Sequence, residues 1–389
     1  MLIRSLALAA LSAASLVAVT GTPAHAATPC ADAPASPVRT QAVFNDASKG
    51  DGAEIVQEIC KLIHAAPAGS TIRVAHFVMS GAAGADFAGE LIKAHGRRVN
   101  VQVILDGDLR NTGILAQLTK GLGTDESARS WVHSCTGPMS GGTAACVGDK
   151  GQHNKFYVFS ETGGKREVVV QSSANLTNLN TTTYWNNAVT MVGNRHIYRA
   201  YDSYFHDLAA ERKNPDHYTV TTGRSRDGMM RSHFFPRAGT GPSTDTVVEL
   251  LDPVVCGSRK GRTEIRIGMS EWDAYRIGIA DRLKALAAQG CRISVVHGPM
   301  DTEVAERLAP AGIDLDVLDG STPAGRIHSK YMLIEGTYGR DQKARMVFTG
   351  SHNYNQTSLR RNDDTLLEID NPEIYTRYRT NFETLRSQA

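Results

Sequence analysis

The sequence lacks several features that would place it in a specialised class of protein. Charge of one sign is not in excess, since 42 Lys and Arg stand against 40 Asp and Glu, for a formal net charge of +2. This balance excludes the global positive field that would by itself predict nucleic-acid binding, but it leaves room for a local basic groove. There is no Cys-x-x-Cys pair and no histidine at ligand spacing from a pair of cysteines, so a zinc site is not favoured. With 41% hydrophobic residues over 389 positions, the chain is neither disordered nor fibrous.

Long apolar segments are also scarce, and the one of interest lies at the N-terminus. Met1 to Arg4 is a short basic start, Leu6 to Val19 is an apolar run, and Ala24-His25-Ala26 has the small-x-small form that signal peptidase cleaves. The run is shorter than the roughly 20 residues that a transmembrane helix needs. The sequence therefore predicts a signal peptide at residues 1–26 and a mature protein that is soluble, secreted and extracellular.

All six cysteines follow the predicted cleavage site, and an even count in an oxidising compartment favours three disulfides. They are Cys30, Cys60, Cys135, Cys146, Cys256 and Cys291. The sequence does not fix their connectivity. Sequential pairing is the expectation, because Cys135 and Cys146 flank a Gly-rich loop and Cys256 and Cys291 flank a strand-helix unit.

A strand-helix-strand order occurs twice, in copies about 190 residues apart. The predicted segments are Gly69 to Phe77, Gly84 to His95 and Arg98 to Leu105 in the first copy, and Arg262 to Met269, Arg276 to Gln289 and Cys291 to Val296 in the second. This alternation predicts an α/β fold with largely parallel strands, and the repetition predicts two similar lobes. We place the N-terminal lobe at residues 27–222, a Gly-, Pro-, Ser- and Arg-rich connector at 223–246, and the C-terminal lobe at 247–389.

Two short motifs carry the residues with chemical potential. Each has a histidine two positions before a lysine, namely His153 and Lys155 in the first half and His328 and Lys330 in the second. An apolar strand follows each lysine, and after a polar turn a second apolar strand ends in Ser-x-Asn. These serines and asparagines are Ser173, Asn175, Ser351 and Asn353. A single His-x-Lys is expected by chance in a chain of this size, but two with the same downstream pattern are not.

Strand geometry explains the spacing of the motifs. Residues i and i+2 of a strand lie on the same face, so the histidine and lysine of each motif project together, and the hairpin returns the serine and asparagine to the same end of the sheet. Each half thus offers an imidazole, an ammonium, a hydroxyl and an amide. This set suits the binding of an anion through charge-assisted hydrogen bonds and its nucleophilic attack. Because both lysines sit in apolar strands, phosphate binding is a better prediction for them than a solvated surface role.

The paired motifs resemble those of the phospholipase D superfamily, over essentially the whole chain after the predicted signal peptide. The resemblance implies a bilobal α/β/α fold with pseudo-twofold symmetry and one active site where the lobes meet. It also implies phosphodiester cleavage without a metal or other cofactor. One histidine would attack phosphorus to form a phosphohistidine, and the other would protonate the leaving alcohol and then activate water or an acceptor alcohol. The implied residues are His153, His328, Lys155, Lys330 and Asp364 for catalysis, and Asn175, Asn353, Ser173 and Ser351 for phosphate binding.

The sequence departs from the family pattern at two matching positions. The family usually has an aspartate five residues after the motif lysine, where this chain has Ser160 and Glu335. That aspartate is credited with structural hydrogen bonds rather than proton transfer, so we expect the chemistry to remain.

An acidic element after the second Ser-x-Asn bears on the roles of the histidines. The pair Asp363-Asp364 resembles the family's element that supplies a carboxylate behind a histidine, whereas the matching stretch of the first half has Ala188 at that place. A carboxylate raises the pKa of a neighbouring imidazole and favours the protonated form that a general acid needs. The sequence therefore predicts that Asp364 or Asp363 lies behind His328, the general acid, and that His153 is the nucleophile.

The motifs are less specific for the substrate. The leading prediction is a secreted phospholipase D that cleaves the head-group phosphodiester of glycerophospholipids at a membrane or micelle surface, with transfer to alcohols as a further activity. A monomer suffices, because both half-sites lie in one chain. The alternative is a secreted nuclease of the same superfamily, which would need a basic groove and stacking aromatics; the sequence has no basic run. A third reading, suggested by Ser160 and Ala188, is a phosphate-binding protein that has lost turnover.

Overall fold

The computed structural model describes residues 30–49, 52–137, 141–258 and 261–389. The predicted signal peptide, residues 1–26, lies outside the described residues. The helices are α1 (Glu54–His64), α2 (Gly81–Gly96), α3 (Thr112–Leu122), α4 (Arg195–Ala209), α5 (Thr246–Leu251), α6 (Ile277–Ala288), α7 (Thr302–Leu308), α8 (Gln356–Arg360) and α9 (Pro372–Gln388). Within the described ranges, no helix is both long enough and apolar enough to span a membrane.

The strands fall into two large sheets and two short pairings. They are β1 (Gln41–Phe44), β2 (Thr71–His76), β3 (Asn100–Leu105), β4 (Trp131–Ser134), β5 (Lys155–Thr162), β6 (Lys165–Ser172), β7 (Tyr184–Trp185), β8 (Asn187–Val192), β9 (Thr219–Ser225), β10 (Gly228–Phe235), β11 (Val254–Val255), β12 (Gly257–Ser258), β13 (Gly261–Arg262), β14 (Glu264–Met269), β15 (Arg292–His297), β16 (Asp314–Val317), β17 (Arg326–Ile327), β18 (Lys330–Tyr338), β19 (Asp341–Gly350) and β20 (Asp364–Asp370).

The two large sheets repeat one strand order. The first runs β4-β3-β2-β5-β6-β8-β1, and the second runs β16-β15-β14-β18-β19-β20-β10-β9. The histidine-lysine motifs precede equivalent central strands, β5 and β18. This repetition confirms the prediction of an α/β fold with two similar lobes.

The expectation of largely parallel strands is wrong for about half of each sheet. Strands β2, β3 and β4 are parallel to one another, as are β14, β15 and β16, and these are the strands joined by helical crossovers. Strands β5, β6 and β8 pair antiparallel, as do β18, β19 and β20. A short turn joins β5 to β6 and another joins β18 to β19, and a tight hairpin can only join antiparallel strands.

Helices α4 and α9 lie between the two sheets and form the seam of the molecule. Tyr201 and Phe205 of α4 and Tyr378 and Phe382 of α9 belong to one apolar cluster that draws residues from both sheets. Each helix starts at an asparagine whose side-chain oxygen accepts a backbone N–H of the first turn. The lobes therefore share a core rather than meeting at a polar surface.

Each lobe also has its own apolar cluster on the outer face of its sheet. Along β5, Phe156 and Val158 face the shared core, and Tyr157 and Phe159 face the outer cluster, as the period of two in a strand requires. Helices α1 to α3 complete the outer cluster of the N-terminal lobe, and α5 to α7 that of the C-terminal lobe. Each sheet is thus covered by helices on both faces.

Much of the predicted connector at 223–246 has regular secondary structure. Most of it forms the hairpin β9–β10 and the start of α5, and β10 pairs with β20 at the edge of the second sheet. Five of the eight β10 residues are buried, and two of them, Met230 and Phe234, join the shared core.

The three predicted disulfides are confirmed, with sequential pairing. Cys30 bonds to Cys60, Cys135 to Cys146, and Cys256 to Cys291. The second of these joins the end of β4 to the segment that leads to His153.

Candidate active site

The two motif histidines lie where the lobes meet, each just before its central strand. The backbone N–H of His153 donates to the carbonyl of Asp363 at 2.8 Å, and that of His328 donates to the carbonyl of Trp185 at 2.8 Å. Each histidine is thus held by the opposite lobe. The parallel pairing of β7 with β17 strengthens the second of these connections.

The side chains of the histidines follow the same crossed arrangement. His153 Nδ1 lies 3.1 Å from Oδ2 of Asp364, and His328 Nδ1 lies 2.8 Å from Oδ1 of Asn186. An acceptor at Nδ1 fixes the proton there in the neutral ring, so the other nitrogen, Nε2, keeps its lone pair for chemistry. Both imidazoles are therefore oriented in the same way, one by a carboxylate and one by an amide.

The prediction that a carboxylate lies behind His328 is wrong. Asp364 contacts His153, which belongs to the other lobe. Asp363 contacts neither imidazole, because its carboxylate accepts the backbone N–H groups of the loop that follows the second disulfide. The sequence argument failed because it assumed that each half supplies the acceptor for its own histidine.

The identification of Ala188 as the counterpart of the acid is also wrong. Ser173 N donates to the carbonyl of Asn187, and Ser351 N donates to that of Thr365, so the residues one position earlier, Asn186 and Asp364, are equivalent. Each follows its serine by 13 residues. That equal spacing is a signal in the sequence that could have found Asn186.

Lys155 and Lys330 are buried, with 0% and 1% of their surface exposed. Each Nζ donates to the carbonyl of its own motif histidine, at 2.6 Å and 2.5 Å. The ammonium of Lys155 also lies 4.9 Å from the centre of the Phe77 ring. Neither lysine is among the described residues that line the cavity between the histidines, so their predicted binding of phosphate stays a prediction.

A cavity of about 240 Å³ lies at this junction. Its lining combines both motif histidines, both motif asparagines and polar residues from both lobes. The lining residues are Phe77, Thr143, Lys150, Gly151, His153, Asn175, Glu271, His328, Asn353, Asn355, Thr357 and Asn362. The side-chain oxygens of Asn175 and Asn353 are buried without a hydrogen-bond partner among the described residues, so each could accept a hydrogen bond from a ligand.

Ser173 and Ser351 do not line the cavity, contrary to the predicted phosphate contact. Ser173 Oγ donates to Oδ1 of Asn186 at 3.0 Å, and Ser351 Oγ donates to Oδ1 of Asp364. Both serines are fully buried. Their hydroxyls hold the two acceptors that orient the histidines.

Burial controls the charge of the site. Burial and the nearby Lys155 lower the pKa of His153, while Asp364 opposes them. Burial, Lys330 and Lys155 hold the pKa of His328 well below its usual range, with no carboxylate on the ring to oppose them. Both imidazoles are thus neutral near pH 7, and His153 is the easier of the two to protonate.

The other charged groups complete this balance. Burial lowers the pKa of Lys155 to about 7, partly opposed by Asp364, and holds that of Lys330 well below its usual range. Burial would raise the pKa of Asp364, but His153 and other neighbouring bases lower it to about 2. A bound phosphate anion would favour the charged form of each base.

The two positions that depart from the family pattern lie at the other end of their strands. Ser160 Oγ accepts the backbone N–H of Thr71 at 2.8 Å, and Glu335 pairs with Arg266 and accepts a hydrogen bond from Tyr375. A charged cavity of about 770 Å³ surrounds Glu335 and includes none of the motif residues. Both residues therefore have structural contacts away from the histidines.

Two groups of described residues bring three metal-ligand atoms within 4.8 Å of one another. Both groups include Cys146, whose sulfur is bonded to Cys135. Neither group includes a motif residue. A disulfide sulfur is not the thiolate that binds metals, so neither group is a convincing metal site.

Comparisons with known proteins agree with this geometry. A family model described as cardiolipin synthase, PLD-like domain, matches residues 59–209 and 259–386. No curated protein sequence gives a significant match. The phosphatidylserine synthase structure from Haemophilus influenzae Rd KW20 is similar with a TM-score of 0.58 and 13% identity, over 90% of this chain and 86% of that chain. The polyphosphate kinase structure from Porphyromonas gingivalis is similar with a TM-score of 0.56 and 14% identity, over 90% of this chain and 50% of that chain.

At these identities the two structures show a shared fold, and the chain spans only half the length of the kinase. The family match covers a large part of each lobe and includes both motifs. With the crossed histidine site, it shows that the chain belongs to the PLD-like domain family of cardiolipin synthases, within the phospholipase D superfamily of phosphodiesterases and phosphotransferases.

Proposed function

We propose that this protein is a secreted phospholipase D that hydrolyses the head-group phosphodiester of glycerophospholipids through a phosphohistidine. The observation that carries the proposal is the crossed pair of imidazoles in one cavity, each held at Nδ1 by the opposite lobe. This arrangement presents two Nε2 atoms to one phosphate, as a two-step displacement requires.

In the proposed first step, Nε2 of His153 attacks phosphorus. A P–N bond forms, the bond from phosphorus to the head-group oxygen breaks, and that oxygen takes a proton from Nε2 of His328. For this step His328 must enter as the imidazolium, the form that the bound phosphate anion favours. In the second step His328 removes a proton from water, the water oxygen attacks phosphorus and the P–N bond breaks. The products are the free head-group alcohol and phosphatidic acid, and an alcohol in place of water would give transfer.

The two acceptors support this assignment of roles, for a reason that differs from the one drawn from the sequence. Phosphorylation at Nε2 leaves a positively charged ring on His153, and the carboxylate of Asp364 stabilises that charge. His328 faces the neutral amide of Asn186, so once the bound phosphate has favoured its protonated form, it releases the proton more readily than His153 would. Lys155, Lys330, Asn175 and Asn353 would bind the phosphate oxygens, and the serines would position the two acceptors.

The charges beside the cavity favour a single phosphodiester over a polynucleotide backbone. Three nearby arginines are paired with carboxylates: Arg110 with Asp108 at 2.6 Å, Arg326 with Glu271 at 3.2 Å, and Arg361 with Asp149 at 2.8 Å. A nucleic-acid groove needs cations that face successive phosphates. Pairing reduces the positive charge that these three present to a polyanion, which supports the lipid over the nuclease alternative.

Secretion is part of the proposal and is supported by the cysteines. The six cysteines form three disulfides, which persist in oxidising compartments. Residues 1–26 supply the proposed signal. Expression with a C-terminal tag and N-terminal sequencing of the exported protein would locate the cleavage site.

The test is release of choline and ethanolamine from phosphatidylcholine and phosphatidylethanolamine micelles by the purified mature protein, in EDTA. We expect release by the wild type and loss of at least 1000-fold in His153→Ala and His328→Ala. His196→Ala, which changes an exposed histidine of α4, is the matched control and should retain full activity. Absence of release by folded wild type would contradict the proposal, and cleavage of labelled single-stranded DNA instead would establish the nuclease.

A trapping experiment tests the roles of the histidines. Phosphoenzyme formed from lipid labelled in the phosphate and quenched in base should carry the label on His153. His328→Ala should accumulate this species from a substrate with a good leaving group, such as a p-nitrophenyl ester. Label on His328 in the His153→Ala variant would reverse the assignment.

A further inference from the structure

The active-site cavity has one acidic side chain among its described lining residues, that of Glu271. The other charged or basic lining residues are Lys150 and the two histidines. The ion pair of Glu271 with Arg326 offsets part of its negative charge, and the part that remains repels a phosphate anion. A cationic part of the substrate would turn this repulsion into attraction.

Glu271 lies on the His328 side of the cavity. It follows β14 by two residues, and the neighbouring Ser270 N–H donates to the carbonyl of Ser329 at 3.0 Å, directly after His328. The side chain of Glu271 is 42% exposed, so its carboxylate is accessible from the cavity.

The carboxylate of Glu271 is held in place and still has room to accept more hydrogen bonds. Oε1 accepts from Arg326 Nη2 at 3.2 Å, and Oε2 accepts from Asn355 Nδ2 at 3.2 Å. Each oxygen thus has one such partner, whereas a carboxylate oxygen can accept two hydrogen bonds. The side chain is oriented before any ligand arrives, which reduces the entropy cost of binding one.

An aromatic ring lies in the same part of the site. The ring of Tyr184 is 5.7 Å from that of His328, and the guanidinium of Arg326 lies 5.8 Å from the centre of the Tyr184 ring. The Arg326 cation therefore contacts both a carboxylate and an aromatic face here. Carboxylates and aromatic faces are the groups that bind ammonium ligands.

The direction of the reaction places the head group in this region. In an in-line displacement, the leaving oxygen departs opposite the attacking nitrogen, so attack by His153 sends the head group toward His328. We propose that Glu271 receives the ammonium of the leaving head group and selects phospholipids with a cationic head group, of the ethanolamine or choline type, over those with a neutral one. This inference rests on the proposed phospholipase activity and names its substrate class.

The test compares two soluble substrates that differ in head-group charge. Dihexanoyl phosphatidylcholine and dihexanoyl phosphatidylglycerol, both below their critical micelle concentrations, remove any effect of a charged lipid surface. For each, kcat/KM is measured in the wild type, in Glu271→Gln and in Glu306→Gln, which changes an exposed glutamate of α7. Glutamine keeps the size and the acceptor oxygen of the side chain and removes the charge.

We expect the ratio of kcat/KM for phosphatidylcholine to that for phosphatidylglycerol to fall about tenfold in Glu271→Gln and to keep its wild-type value in Glu306→Gln. Choline alone should inhibit the wild type more strongly than Glu271→Gln. Equal losses on both substrates, or an unchanged ratio, would overturn the inference while the phospholipase proposal stands. A wild type that cleaves neither lipid would instead overturn the proposed function.

Discussion

The two motif histidines occupy equivalent places in the repeat. The side chains that contact their Nδ1 atoms differ in one functional group, a carboxylate for His153 and an amide for His328. Asp364 and Asn186 occupy the same place in the repeat, and each accepts a serine hydroxyl and contacts one histidine at Nδ1. One of these side chains carries a charge and the other does not. A pseudo-symmetric scaffold thus gives two chemically different imidazoles, which is what a nucleophile and an acid require.

Replacement of Asp364 by Asn tests the role of this charge. Because Asp364 raises the pKa of His153, its loss lowers that pKa, and His153 then stays neutral to lower pH. We expect kcat for phosphatidylcholine to fall about 10²- to 10⁴-fold, with the acidic limb of the kcat/KM profile moving to lower pH. Asp341→Asn, at an exposed strand start, is the control. An unchanged profile would show that Asp364 does not act through His153.

The buried lysine of the first motif predicts how anion binding depends on pH. Burial lowers the pKa of Lys155 to about 7, so its ammonium is present below that pH and is lost above it. Inhibition by sulfate, whose charge is constant over this range, should weaken as pH rises from 6 to 8.5. Lys155→Met should bind sulfate less tightly and lose most of this pH dependence. Equal pH dependence of sulfate inhibition in the wild type and in Lys155→Met would contradict the conclusion that Lys155 titrates in this range and binds the anion.

At the scale of elements, the loop from the second disulfide to β5 positions His153 through contacts at both of its ends. The carboxylate of Asp363 accepts the N–H groups of Cys146, Val147 and Gly148. The carboxylate of Asp106, which follows β3, accepts the N–H of Gln152 at 2.7 Å. His153, the proposed nucleophile, is therefore positioned by loops of both lobes, and its placement depends on their close approach.

Gly148 is the point of closest approach in this loop. A Cβ added there would lie 2.1 Å from the carbonyl oxygen of Arg361, a backbone atom that cannot move alone. We expect Gly148→Ala to cost about 1–3 kcal/mol of stability and to reduce kcat more than tenfold, as measured by urea unfolding and choline release. Gly113→Ala is the matched control, because nothing lies within 4 Å of its added Cβ in α3. Full activity in Gly148→Ala would show that the loop can shift without cost.

At the scale of the molecule, the lobes are joined by more than the site. The cluster between the sheets includes Tyr201 and Phe205 of α4 and Phe382 of α9. Asn187, from the N-terminal lobe, donates to Thr349 Oγ1 of the C-terminal lobe at 2.7 Å. Because the crossed acceptors need the lobes in one fixed arrangement, this shared core supports the site as well as the fold.

Phe382→Ala tests this coupling. Phe382 is 1% exposed in the shared core, so the substitution should cost about 3–5 kcal/mol. Urea unfolding should remain a single transition at a lower midpoint, and activity should be lost across that same transition. Thr380→Ala, on the exposed side of the same helix, should change stability little. Two separate transitions in the wild type would show that the lobes fold independently.

The amino-acid sequence predicted much of the fold and part of the candidate site. The repeat, the two motifs and the even count of cysteines predicted the similar lobes, the disulfides, and the histidines and asparagines that line the cavity, because these depend on local periodicity and on residue type. Glu271 was missed, since it stands alone after a strand and belongs to no repeated motif. The hairpin within the predicted connector was missed because the Gly- and Arg-rich composition around it drew attention away from the buried residues of β10.

The sequence by itself determined which residues could do the chemistry, since imidazoles and lysines repeated at matching places indicate an anion site whatever their partners. Only the tertiary structure decided how they are paired. Asp364 serves the histidine of the other lobe, the serines lie behind the acceptors, and Asn186 rather than Ala188 completes the pair. The physical reason is that hydrogen bonds between lobes join residues more than 140 positions apart, and spacing along one lobe carries no information about the surface of the other.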